Sequence, residues 1–121
     1  MAKSSEIVNR FYDAWNKKDI GAMEKLLADY TRYEGPLVTW EGKKQYVEGA
    51  KQIMPAFNGI KVLKQFEDRD TVCSIIEIQL NTPDGPVTCN VSELTKVSDG
   101  RIAESRTFYD PRKIEKYFAQ R

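Results

Sequence analysis

The 121-residue chain contains no histidine. That removes Ser-His-Asp and Cys-His nucleophiles. Acid–base work near neutral pH falls to Asp, Glu, Lys, Tyr or Cys with displaced pKa values. The richest candidate stretch runs from Gly100 to Asp110 and reads as the last long strand. A strand puts alternate residues on one side, so Glu104, Arg106, Phe108 and Asp110 share a face. Charges on a buried face are costly unless they pair or serve a pocket. Facing inward, Asp110 would be a general base, raised by desolvation and trimmed by Arg106. Arg106 would bind a carboxylate, enolate or carbonyl. The structural alternatives are an Asp110 that caps the segment after Pro111 and an Arg106 in a salt bridge to Glu104 or Asp110. Cys73 and Cys89 lack metal-ligand spacing, so no metal or organic cofactor is expected, and they read as free thiols of a cytoplasmic protein.

The elements that must position these groups follow from periodicity. Residues 5–16 place Ile7, Val8, Phe11, Tyr12 and Trp15 on one helical stripe, with Ser4 or Ser5 as cap. Asp19 reads as the N-cap of a second helix with Ile20, Met23, Leu26, Leu27 and Tyr30 on its apolar side. Thr31 to Trp40 is strand-like, interrupted at Gly35-Pro36. Lys43 to Met54 is a third helix, stopped by Pro55. From Ile60 the period becomes two: a strand to Phe66, a second over Thr71–Leu80, the hairpin signal Asn81-Thr82-Pro83-Asp84-Gly85, a third over Pro86–Val97, and the strand to Asp110. A short helix over Arg112–Gln120 closes the chain. Helices followed by an antiparallel meander argue an α+β fold, a single domain over residues 1–121, with three helices laid across a curved sheet that encloses a pocket.

Parity assigns the faces. Over Thr71–Leu80 the even residues are the more apolar and should face the helices. Extending even-inward to all strands puts Asn90, Ser92, Glu104, Arg106, Phe108 and Asp110 in the pocket beside Phe11, Trp15, Ile76 and Ile78. Tyr33, Trp40, Tyr46 and Phe57 are further candidates for its wall. Polar groups in an apolar enclosure suit a small hydrophobic ligand. Cys73, Ile75, Val87, Cys89 and Val91 would then form an apolar outer patch and a homodimer surface. The opposite parity would make those five residues core and the polar set surface.

Composition narrows the partners. A net charge of +1 gives no electrostatic case for nucleic acid, and no apolar run approaches a membrane span. The first residues lack the apolar segment of a secretory signal.

The chain resembles the nuclear transport factor 2-like superfamily, in its SnoaL-like, polyketide cyclase-like branch. The resemblance rests on Ile7 to Asp19, Met23 to Tyr30, Trp40-Glu41-Gly42 and the ending Asp99 to Asp110, and it spans nearly the whole chain. It implies a cone-shaped α+β barrel with a mixed curved sheet, frequently dimeric. Members include polyketide cyclases, ketosteroid isomerases, epoxide hydrolases, dehydratases and non-catalytic binding proteins. The isomerase positions fall on Phe11, with Tyr12 adjacent, on Gly35, with Glu34 beside it, and on Ser92, so all three depart from that pattern. The cyclase acid/base position falls on Asp110, with Arg106 where an aromatic is frequent. Glu104, Arg106 and Asp110 loosely imitate an epoxide-hydrolase triad. The expectation is a cofactor-independent isomerase, cyclase or hydrolase for an apolar carbonyl-bearing compound. The alternative is a ligand-binding or protein-interaction module of the same fold.

Overall fold

The computed structural model describes residues 3–118. Helix α1 spans Ser4–Asn16 and α2 spans Ile20–Leu26. Strands β1 (Leu27–Glu34) and β2 (Thr39–Glu41) follow, then α3 (Lys43–Ile53). The meander is β3 (Phe57–Asp68), β4 (Thr71–Thr82), β5 (Gly85–Ser98) and β6 (Arg101–Phe108). A 3-10 turn (Pro111–Lys113) and a one-turn α4 (Glu115–Phe118) end it. The expected terminal helix therefore reaches residue 118, and its last two expected positions lie outside the described residues. The six strands form one mixed sheet in the order β2-β1-β6-β5-β4-β3, with β1 and β6 parallel and every other pair antiparallel. The sheet is curved but not closed, so it is an α+β half-cone rather than a sealed barrel. No helix among the described residues is long and apolar enough to cross a membrane.

Helix α1 lies across the concave face because its stripe is apolar: Ile7, Val8, Phe11, Tyr12 and Trp15 are all buried. Its ends are held by the sheet rather than by its own caps. Neither serine caps it; Lys3 occupies the N-cap position, and the Ser5 amide donates to Glu67 Oε1 of β3 at 2.8 Å. At the other end Asn16 grips the Ile60 backbone twice, at 2.7 and 3.1 Å. Asp19 does cap α2, accepting from the Ala22 amide at 3.0 Å. That helix stops at Leu26, and Leu27 to Tyr30 join β1 instead of extending it. Pairing with β6 at Leu27↔Ile102 overrides the helical propensity there.

The two hairpins set the faces of the sheet. A two-residue turn pairs Thr82 with Gly85, so even positions on β4 lie opposite odd positions on β5. Val72, Ser74, Ile76 and Leu80 are buried as expected, but on β5 the buried set is Cys89, Val91, Glu93, Thr95 and Val97. The turn at Asp99-Gly100 inverts parity again, putting Ile102 inside. Ala103 is then an extra residue in β6, between the pairs Val97↔Ile102 and Lys96↔Glu104, and it returns the inside to Ser105 and Thr107. Even-inward thus holds on β4 and fails on β5 and on β6 beyond Ile102.

Helix α3 closes the side of the cone through a close approach. A Cβ at Gly49 would meet the Trp40 ring at 2.2 to 2.6 Å. Helix propensity alone favours alanine there by about 1 kcal/mol, whereas an overpacked contact costs roughly 1–3 kcal/mol. Gly49→Ala should therefore destabilise the protein by up to about 2 kcal/mol net and change the Trp40 environment. Chemical denaturation followed by tryptophan fluorescence checks this; a stabilised variant would show that Trp40 moves at no cost.

Candidate functional site

The concave face and the helices enclose a cavity of about 190 Å³. Its walls are aromatic. Phe11, Tyr12 and Trp15 come from α1, Tyr33 from β1, Trp40 from β2 and Tyr46 from α3. The rings brace one another: Trp40 and Tyr46 stack edge-on at 5.0 Å, Tyr33 lies 4.9 Å from Trp40, and Phe11 lies 5.6 Å from Tyr46. Trp15 Nε1 donates to Tyr46 Oη at 3.3 Å, which fixes both polar tips. Ile76, Ile78 and Leu80 of β4 form the apolar floor. The exposed lining residues Val38 and Gln52 mark the mouth.

Among the described residues one charged side chain lines this space, Glu93 of β5, and it is 8% exposed. Tyr12 Oη donates to its Oε1 at 2.5 Å. Among the described residues its Oε2 receives no hydrogen bond. Burial pushes the Glu93 carboxyl up to about 7, and the Tyr12 bond pulls it partly back. Removing a carboxylate from water costs several kcal/mol, and one charged hydrogen bond returns about 1.5–3 kcal/mol, so desolvation wins. Tyr12 is raised in turn by burial and by the charge of Glu93. Beside this pair, Thr107 lies directly across the strand from Glu93. Its hydroxyl shares a 2.7 Å bond with Tyr33 Oη. Two hydroxyls that share one bond use one hydrogen between them and leave the other free for a ligand. The site thus combines a proton acceptor near neutrality with a neighbouring hydroxyl donor, in largely apolar surroundings.

The expected residues divide sharply. Phe11, Trp15, Tyr33, Trp40 and Ile76 line the cavity. Asn90, Ser92, Glu104, Arg106 and Phe108 instead point to the convex outer face, because of the two inversions and the extra residue described above. Arg106 approaches Glu34 at 3.8 Å and lies over the Phe108 ring at 5.2 Å, both at the surface. Asp110 is also exposed. It accepts from the Arg112 amide at 3.0 Å, pairs with the Arg112 guanidinium and is held down to about 2 by those contacts. It is the cap of the 3-10 turn, the structural alternative stated above. Val87, Cys89 and Val91, expected outside, face inward, while Cys73 and Ile75 stay on the outer face. Sequence reasoning missed Glu93 and Thr107. The two-residue spacing of the turn at Pro83-Asp84, which fixes strand parity, could have found Glu93, whereas Thr107 faces inward only through the extra residue at Ala103. Among the described residues no group of His, Cys, Asp and Glu is placed to hold a metal ion.

Residues 8–105 match the SnoaL-like domain family. The chain belongs to the SnoaL-like family. Among curated proteins no sequence matches it significantly. A nuclear transport factor 2-like protein of unknown function from Cytophaga hutchinsonii is 26% identical, with 94% of this chain and 96% of that one aligned at a TM-score of 0.84. An LEH-like epoxide hydrolase of M. tuberculosis is 19% identical over 97% and 90% of the chains, TM-score 0.83. A protein with a ketosteroid isomerase-like fold from Catenulispora acidiphila, solved with trimethylamine, is 17% identical over 94% and 92%, TM-score 0.82. At these identities the last two likenesses describe the fold. In this SnoaL-like chain the cavity is built around Glu93, not around a residue after the last strand.

The raised pKa of Glu93 makes stability depend on pH. Between its unfolded value of 4.5 and its folded value of about 7 the native state binds the extra proton, so stability falls as pH rises through that window and levels off above it. The full effect is on the order of 3 kcal/mol. Glu93→Gln should flatten this dependence. It should melt several degrees above the native protein at pH 8 and close to it at pH 5, a comparison that thermal unfolding at the two pH values checks.

Proposed function

We propose that this protein moves a proton on an apolar, carbonyl-bearing small molecule, with Glu93 as the acid–base group. The observation that carries the reading is the placement of Glu93: it lines an aromatic cavity, one oxygen is held by Tyr12, and its pKa lies near 7. A base of that strength serves neutral pH. Glu93 Oε2 would take a proton from carbon next to the carbonyl, and the spare hydrogen of the Tyr33–Thr107 pair would meet the developing oxyanion. Among the described residues the lining contains no lysine or arginine. A ligand carboxylate or phosphate would find no counter-ion and would face Glu93, which leaves neutral, mostly apolar compounds as the fitting class.

Deuterium exchange at carbon in a panel of hydrophobic ketones, followed by NMR, tests this. The native protein should accelerate exchange for at least one compound, with a rate that rises with pH through about 7. Glu93→Gln should lower that rate by roughly 10²-fold or more, and Tyr33→Phe by a smaller factor, because Thr107 keeps its hydroxyl. Equal rates for the native protein and Glu93→Gln would overturn the acid–base role. Tight binding with no exchange for any compound would establish the alternative, a non-catalytic binding pocket.

We further propose a homodimer through the convex face. Phe66, Leu94 and Phe108 are 55%, 43% and 50% exposed. Cross-strand pairing joins them to Cys73 and Ile75 in two adjacent rows, Phe66–Cys73–Leu94 and Ile75–Ser92–Phe108. An apolar patch of this kind favours a partner surface. Leu94→Glu should yield a monomer by light scattering if the native protein is a dimer through this face. An unchanged oligomeric state would place the contact elsewhere.

A further inference from the structure

Gly35 follows β1 and stands against the Tyr33–Thr107 hydroxyl pair. Tyr33 pairs in parallel with Ser105 and Glu34 with Arg106, so Gly35 comes level with Thr107 one step beyond the last pair. Alternation puts Tyr33 and Gly35 on the same, inward side. A Cβ built on Gly35 would lie 2.6 Å from Tyr33 Oη, 2.7 Å from Thr107 Oγ1 and 3.1 Å from Tyr33 Cζ. The two oxygens are themselves 2.7 Å apart. A methyl group there would sit astride the hydrogen bond, well inside an ordinary contact of about 3.5 Å. The space left by the missing side chain at position 35 is the space that holds the pair.

Nothing in the backbone requires glycine at this position. The glycines of positive φ are Gly42, Gly59, Gly85 and Gly100, and Gly35 is not one of them. Pro36 restricts the residue before it to extended conformations that alanine adopts freely. The Gly35 amide donates to the Val38 carbonyl at 2.9 Å, a bond open to any residue but proline. A glycine here also loses more chain entropy on folding than alanine would. The reason for it is therefore steric. The Gly35 backbone covers one side of both hydroxyls, and both line the cavity, so the hydrogen they do not share is left the cavity side. Thr107 lies across the strand from Glu93, which brings that hydrogen beside the carboxyl group. Among the described residues Gly35 is not part of the cavity lining, so a methyl there disturbs the pair without taking a ligand's space. We propose that Gly35 is a positioning residue that sets ligand preference: its bare backbone seats the Tyr33–Thr107 pair, so that the free hydrogen recognises a carbonyl oxygen held next to Glu93. This rests on the reading of the cavity as a site for a carbonyl-bearing compound. The site then discriminates a ketone from a hydrocarbon of the same shape, and enlarging residue 35 removes that discrimination before it removes the cavity.

Cyclohexanone and methylenecyclohexane test this, because they differ only in an oxygen against a methylene. Trp15 and Trp40 line the cavity, so titration followed by tryptophan fluorescence reads both compounds. The quantity compared is the ratio of their two dissociation constants. It is measured in the native protein, in Gly35→Ala and in Tyr33→Phe/Thr107→Val, which carries neither hydroxyl. In Gly35→Ala the ratio should move against the ketone by about 3–10-fold, the size of one lost hydrogen bond, while the hydrocarbon stays within about 2-fold. A merely structural role would weaken both compounds together. Equal weakening of both in Gly35→Ala, with the ratio lost in the hydroxyl-free variant, overturns the role of Gly35 and leaves the reading of the site standing. The native ratio kept in the hydroxyl-free variant shows that no hydroxyl meets the carbonyl, and overturns both. Native protein that binds neither compound overturns both as well. The clash itself has a second readout. Tyr33→Phe removes the nearest oxygen, so Gly35→Ala should lower the melting temperature less in that background than alone, and a Gly35→Ala that folds only there is the same result. Equal losses in the two backgrounds, or failure to fold in both, overturn the seat.

Discussion

A carboxyl group enclosed by aromatic rings is the constraint that the rest of this structure serves. Glu93 is buried among aromatic rings, and among the described residues no lysine or arginine lines its cavity. It is tolerated because α1 delivers a phenol to it at 2.5 Å. That contact in turn demands that α1 lie in one place and at one rotation. Tyr12 reaches Glu93 while Phe11 and Trp15, on the same stripe, reach Tyr46 and Phe57. The seating of α1 is fixed from outside by sheet groups, Glu67 at its start and the Ile60 backbone at its end. The helix is thus clamped at both ends by β3 and held at its middle by a buried bond to β5. A shift of one turn would break all three together.

The aromatic wall explains why the space stays open. Trp40, Tyr46 and Tyr33 form a triangle of ring contacts, each braced by the other two. Rigid rings with few rotamers do not fold into a void as leucines would. Gly49 lets Trp40 stand close against α3, so the ring covers the side of the cone instead of occupying its centre. The same packing buries Glu93 and so holds its pKa up, linking the shape of the cavity to the strength of the base.

Much of the fold was legible in the sequence. The stripe on α1, the Asp19 cap and the period-two meander all report local chemistry, and local chemistry is what periodicity reads. The face of each strand was less accessible. Polar residues sit on both faces of β5 and β6: Asn90, Ser92 and Lys96 outside, Glu93 and Thr95 inside. Hydropathy could not separate them, and carrying one parity across three strands ignored the turns. The turn length at Pro83-Asp84 did contain the answer for β5. The extra residue at Ala103 left no such mark, since nothing in Ile102-Ala103-Glu104 differs from a regular strand. The candidate site was therefore half visible. Its aromatic wall could be named because those rings lie on helices and short strands of clear pattern, whereas its one ionisable group was hidden by a reversal of face.

Two unfavourable features meet at one place in the molecule. A buried carboxyl with a raised pKa costs stability once it ionises, on the order of 3 kcal/mol. A cavity of about 190 Å³, if dry, forgoes on the order of 4–5 kcal/mol at about 24 cal/mol per Å³. Either defect alone has a simple remedy, a glutamine at 93 or a larger residue on the floor. Both remedies are absent here, in a fold where, among the described residues, no fully buried side-chain nitrogen or oxygen lacks a partner. A mostly apolar molecule with one polar atom would relieve the two at once, filling the space and giving Glu93 Oε2 a partner. The coincidence of the two costs is a stronger argument for an occupant than either by itself, because a merely structural protein gains nothing from keeping them together.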